Sequence, residues 1–329
     1  MKIKNFDELP IRDKLEEKIR IFFRTIWKEK DEEKLLENWL SNFTDENEKI
    51  QMLYLLSKFM YFGNLEIRQI LKSIYRDLFK YPLIEKIRHD NNDTTDTQII
   101  ELALQFEIKS TKFLGVGNPS ESGVHMLYYF RQENNLPKTD FIYVSDIFKG
   151  NEVKEKDRTS IEYSINDTKI KRYVFLDDFC GSGSQVKKYL LKDLELLKKL
   201  NPNAEINYLM MFGSKVGIEN LLKLTFKNSD EVDLPIFNSV ETIFVLDDSY
   251  TAFGNSTRYF ENCPIDIDKK GCEITNYKYG INLPYGPLGY NDCQLLISFF
   301  HNTPDNSLPI FWCDKSWKPI FKRYDKKYN

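Results

Sequence analysis

The chain has 329 residues, 41% of them hydrophobic and 14% aromatic, which allows a sizeable core and either two domains or one α/β domain with a helical annex. Its 47 lysines and arginines against 50 acids leave a net charge of −3, excluding a bulk electrostatic pull toward nucleic acid or membrane while leaving a local basic groove open. Five cysteines without a Cys-x-x-Cys pair argue against a zinc ribbon or disulfide framework, and a charged N-terminus with no apolar run of spanning length points to a soluble, cytoplasmic protein.

From Ile11 onward the pattern is helical: Ile11, Leu15, Ile19, Phe22 and Ile26 recur every three or four residues between charged positions. A second helix is predicted to start at Thr44 or Asp45 and to close at Gly63-Asn64. Leu65, Ile70, Leu71, Ile74 and Leu78 form a third stripe. Residues 1–92 thus read as an all-helical module that packs on itself or on a partner protein. The polar, turn-rich segment 89–98 marks the boundary.

Short β-rich runs follow at 112–117, 140–148, 171–179, 205–212, 241–248 and 307–313, with helical stretches at 122–136 and 185–200 between them. Strands alternating with helices predict, over 93–329, an α/β domain built on a mostly parallel sheet flanked by helices. Ligands bind such sheets beyond the carboxyl ends of the strands. Lys187, Lys188, Lys192, Lys198 and Lys199 lie among leucines and are expected on a solvated helix face.

One strand end carries chemistry. "FLDDFCGSGSQ", residues 175–185, sets Asp177 and Asp178 behind a buried strand and ahead of a Gly-Ser turn that opens a helix. Glycine lets a backbone approach a ligand, and amides at a helix start suit an anion, so Gly181, Ser182, Gly183, Ser184 and Gln185 are candidate phosphate ligands. The paired carboxylates suit a ribose diol, directly or through a magnesium ion. Together they ask for a sugar phosphate.

This arrangement resembles the phosphoribosyl-pyrophosphate loop of type I phosphoribosyltransferases, with Asp177 and Asp178 at the diol-binding acids and Ser182-Gly183-Ser184 at the 5′-phosphate cradle. The resemblance implies phosphoribosyl pyrophosphate as substrate and Mg2+ as cofactor, held at Asp177 and Asp178. Gln185 replaces the usual threonine, and Gly181 stands where some members keep an acidic general base. "DDFCGSGS" also resembles the S-adenosylmethionine loop of DNA amino-methyltransferases, whose Asn/Asp-Pro-Pro-Tyr element "NLPY", 282–285, resembles in turn. Asp178 in place of proline, no acid after "EINYLMMFGSK" and a poor strand before Asn282 weigh against that reading.

Upstream, "KFLGVGNPSESGVHMLYYF" offers Gly117, Ser120, Ser122 and Gly123 as a pyrophosphate loop behind the first strand. Near the end, His301-Asn302-Thr303-Pro304, Asn306, Leu308, Pro309 and Trp312 are similar to an element of the PRTase-CE phosphoribosyltransferase-like proteins of prokaryotic conflict systems. That resemblance implies an enzyme acting on a nucleotide, nucleobase or other ribosyl phosphate in antiviral defence, working with a partner protein through the helical module. The alternative is a catalytically inert nucleotide-sensing module. His301 and Asn302 are candidates to line the cleft, His125 and the acids Asp247 and Asp248 are weaker ones, and His89 is expected in solvent.

Overall fold

The structure is a computed structural model that describes residues 9–28, 31–118, 121–155 and 158–324. The chain packs as two compact units, Met1–Ile67 with Asp247–Asn329, and Arg68–Leu246. This division differs from the expected 1–92 and 93–329: the first 67 residues share a unit with the C-terminal segment.

The first unit holds helices Ile11–Phe22, Glu32–Leu40, Glu46–Leu56 and Lys269–Gly280 and a short parallel pair, Met60–Phe62 with Ile297–Phe299. Asp45 caps its helix as expected, accepting hydrogen bonds from the amides of Asn47 and Glu48. That helix stops at Leu56, however, and the residues expected to carry it to Gly63 turn into strand Met60–Phe62. The core is aromatic: Trp39 stacks on Phe311 with centroids 5.4 Å apart and donates its indole N–H to the Ile310 carbonyl at 2.8 Å. Phe59 stacks on Phe321 at 4.4 Å. The last expected strand, 307–313, is instead a loop with one 3-10 turn, Pro309–Phe311, because its proline cannot extend a ladder and its apolar side chains fill this core.

The second unit is the predicted parallel sheet. Strands β1 (Thr111–Gly115), β2 (Arg172–Cys180), β3 (Glu205–Ser214) and β4 (Ser239–Leu246) lie side by side in that order, all parallel. Helices α1 (Thr97–Lys109), α2 (Ser122–Glu133), α3 (Ser184–Tyr189), α4 (Leu191–Leu200) and α5 (Lys215–Leu222) flank it. The strands are continuous apolar runs, as burial on both faces requires. Tyr173, Phe175, Tyr208 and Met210 belong to one core cluster, while on the opposite face Phe113 meets Phe130 of α2 at 5.2 Å and Phe79 at 5.2 Å.

Three details depart from the sequence reading. Residues 140–147 form 3-10 turns, Lys138–Asp140 and Val144–Ile147, instead of a sheet strand; Phe141 bridges to Phe113, the Ile142 amide donates to the Phe113 carbonyl at 3.2 Å, and Ile147 joins the core beside Tyr173. An antiparallel ribbon, Phe148–Glu155 with Arg158–Ile165, precedes β2 without having been expected. Lys198 is buried, donating to the Ala204 carbonyl at 2.7 Å, whereas Lys187 and Lys188 are exposed.

Candidate functional site

The carboxyl ends of β1 and β2 and the loops leaving them gather most of the expected residues. Successive side chains of a strand point to opposite faces, so Asp177 and Asp178 cannot act as a matched pair. Asp177 shares its face with Phe175 and Tyr173, is 4% exposed, and turns into the fold. Its Oδ2 accepts the Tyr208 hydroxyl at 2.5 Å and its Oδ1 the Asp178 amide at 3.0 Å. Burial, with the neighbouring Asp178 charge, holds the Asp177 carboxyl well above the usual range. Asp178 faces α2, where its Oδ1 accepts the Ser122 hydroxyl at 2.9 Å and the Phe179 amide at 3.0 Å.

The Gly-Ser turn is built from below. Gly183 takes the left-handed conformation, φ 73°, that reverses the chain into α3. Ser214, at the end of β3, caps α5 by accepting the Gly217 amide at 2.9 Å and donates its hydroxyl to the Gly181 carbonyl. Asn220 of α5 donates to the Ser182 carbonyl at 3.1 Å. A trans peptide points its C=O and N–H in opposite directions, so anchoring the Gly181 carbonyl on Ser214 turns the Ser182 amide the other way. Among the described residues the amides of Ser182, Gln185 and Val186 donate no hydrogen bond. The hydroxyls of Ser182 and Ser184 lie 2.5 Å apart beside them.

The first loop approaches this turn closely. A Cβ on Gly123 would lie 2.5 Å from the Val116 carbonyl and 3.2 Å from that of Leu176, so only glycine lets α2 start against the strand ends. Gly117 is also left-handed, φ 97°. Glu121, 6% exposed, accepts the Gln185 side-chain amide and so bridges the two loops. Ser120 lies outside the described residues.

His301 and Asn302 belong to the other unit. His301 stacks on Phe299 at 5.5 Å, and the Asn302 side chain accepts the amides of Thr303 and Tyr324 at 3.0 and 2.9 Å. The motif around them holds the fold of that unit: Thr303 donates to the Lys322 carbonyl and Trp312 to that of Ser307. Asp247 caps a 3-10 turn through the Ser249 amide and hydroxyl, and His89 and His125 are exposed.

Sequence reasoning missed Tyr208, Glu121, Ser214 and Asn220. Ser214, a serine between a strand and a helix, carries a capping signal; Tyr208 sits within an apolar run and is told apart from core only by register.

Among the described residues no group of three or more His, Cys, Asp or Glu side chains is placed to hold a metal ion. Both oxygens of Asp177 are engaged by protein donors, so its carboxylate does not fit a direct magnesium ligand. Burial and the Asp177 charge push the Cys180 thiol up to about 12, which makes it a poor nucleophile. No helix among the described residues is long and apolar enough to cross a membrane.

The PRTase-CE family model matches residues 36–323. No curated protein matches the chain. Among solved structures it is similar to the Helicobacter pylori xanthine-guanine-hypoxanthine phosphoribosyltransferase, 10% identical over 45% of this chain and 88% of that one, TM-score 0.21. It is also similar to the orotate phosphoribosyltransferase of Aeropyrum pernix, 14% identical over 54% and 76% of the two chains, TM-score 0.23. A Neisseria gonorrhoeae protein with bound ppGpp is 11% identical over 58% and 85%, TM-score 0.27.

Proposed function

The chain belongs to the PRTase-CE family, with its phosphoribosyltransferase-like α/β fold, and from that premise we propose that it binds a ribosyl 5-phosphate at the ends of β1 and β2 and transfers or exchanges the group on the ribose carbon. The observation that carries this reading is the pairing of Asp178 and Ser122 with an adjacent turn whose carbonyls are tied to Ser214 and Asn220. A diol would donate to Asp178, and the 5′-phosphate would rest on the amides and hydroxyls of residues 182–185. The loop around Gly117, Ser122 and Gly123 would receive the pyrophosphate.

In this scheme Asp178 contacts the sugar, whereas Asp177 is a positioning residue, fixing the end of β2 through Tyr208. A magnesium ion would supply charge neutralisation on the pyrophosphate and would enter with it rather than on a cage of protein ligands. Catalysis then depends on orienting the ribose and stabilising the departing anion. Phosphoribosyl pyrophosphate is the donor this geometry suits best. A defence role acting on a nucleotide or nucleobase, with a protein partner, follows from the family context alone.

Two other readings frame the test. A methyltransferase would need an acid beyond β3, where this chain has Ser214 occupied as a helix cap. A nucleotide sensor is favoured by Gly181, which brings no side chain to the position of a general base. Metabolite profiling of cells expressing the wild type or Asp178→Asn separates these: a ribosyl compound consumed or formed only with the wild type supports the enzyme, and identical profiles support the sensor.

A further inference from the structure

We propose that the cleft at the amino ends of β1 and β2 is a binding site for a small cation, a single ring carrying a protonated amine or amidine, and that it is separate from the ribosyl-phosphate site. Tyr173 precedes Asp178 on β2 by roughly 17 Å, at about 3.3 Å per residue, so the two sites share a strand and no residue. The cleft encloses about 180 Å³, with Ile142, Ile147, Ile170 and Tyr173 among its walls. A cavity of about 150 Å³ takes one benzene ring, so this one takes a ring with a small substituent.

One polar group inside it is unmet. Tyr173 is 2% exposed, yet its hydroxyl makes no hydrogen bond among the described residues. A buried tyrosine hydroxyl usually finds a partner, as Tyr208 does in Asp177. Burial foremost, with the charge of Asp167, pushes the Tyr173 phenol up to about 12. The hydroxyl therefore stays neutral, and its oxygen remains able to accept.

The other polar groups of the lining decide what the missing partner is. Both side-chain donors are committed to backbone carbonyls: Lys112 to Thr139 at 2.6 Å, and Asn166 to Asp146 at 3.1 Å. The acceptors are not used up. Asp146 takes the Tyr143 amide on Oδ2 at 2.9 Å and Asp167 the Lys169 amide on Oδ1 at 3.0 Å, which leaves the second oxygen of each carboxylate without a partner among the described residues. Two acids against one lysine also make the lining net negative. Apolar walls, open carboxylate oxygens and spent donors ask for a ligand that brings both donors and positive charge. A protonated amidine offers several N–H groups in one plane, enough for a carboxylate and the tyrosine oxygen together.

Calorimetric titration of the full chain with benzamidine, benzamide and benzoate tests this, because these probes share a ring and a size and differ in charge. The wild type should bind benzamidine, with benzamide about tenfold weaker and benzoate showing no measurable binding, since the charge-assisted bonds are first neutralised and then replaced by repulsion. Asp167→Asn, at an exposed position, should weaken benzamidine about tenfold and leave benzamide unchanged. Tyr173→Phe keeps the ring in the core and removes a hydroxyl that has no partner, so it should melt with the wild type while binding benzamidine severalfold more weakly. A wild type that ignores benzamidine, that takes benzoate equally well, or whose benzamidine affinity survives both substitutions would overturn the proposal.

Discussion

The Tyr208 hydroxyl donates to Oδ2 of Asp177 at 2.5 Å, from one strand of the parallel sheet to the next. This contact makes one member of an apparent carboxylate pair a structural group, so that in the proposed function Asp178 alone contacts the sugar. Removing the donor by Tyr208→Phe leaves a buried carboxyl short of a partner, which costs about 1–3 kcal/mol. Urea denaturation should show that loss.

The burial of Asp177 predicts a pH dependence. Burial and Asp178 raise the Asp177 pKa in the folded chain, so the folded state holds this proton more tightly than the unfolded one. The associated stability is fully present below the ordinary carboxyl range and is lost as pH rises through the raised value. Asp177→Asn, which cannot ionise, should flatten that part of the melting temperature against pH, and an unchanged slope would show that Asp177 does not cause it.

Asp178 behaves differently. Asn at 178 keeps an acceptor for the Ser122 hydroxyl, so Asp178→Asn should melt within a few degrees of wild type. It should nevertheless lose at least tenfold in affinity for phosphoribosyl pyrophosphate by calorimetry, because a charge-assisted bond to the diol becomes a neutral one.

Gly123→Ala tests the close approach of the two loops. The added methyl would meet the Val116 carbonyl at 2.5 Å, a backbone atom that cannot swing away. A loss of about 1–3 kcal/mol in chemical denaturation is expected.

At the other end of the sheet, Arg172 is 3% exposed and joins Glu107, Glu205 and the Thr111 hydroxyl. Arg172→Ala takes the buried partner from Glu107 and from Glu205, which keeps Lys86 at 2.8 Å, and a loss of about 1–3 kcal/mol should follow in the same measurement.

Much of this was legible in the sequence. The apolar runs gave four parallel strands because buried strands must be apolar on both faces, and Gly183 marked the reversal because few residues adopt its φ. The opposite facing of Asp177 and Asp178 follows from strand geometry, but which acid faces inward depends on Tyr208 lying one strand away. The packing of the N-terminal helices with the C-terminal motif was not legible, since Trp39 and Phe311 are brought together only by the tertiary fold. Asn302 was expected to line the cleft, and its side chain accepts the backbone amides of Thr303 and Tyr324.

Thermal shift with phosphoribosyl pyrophosphate and magnesium, run beside S-adenosylmethionine on wild type and Asp178→Asn, tests the central claim most directly. The wild type should be stabilised by the ribosyl pyrophosphate alone, and the variant far less. Stabilisation by S-adenosylmethionine, or an equal response of both proteins to the ribosyl compound, would contradict the account.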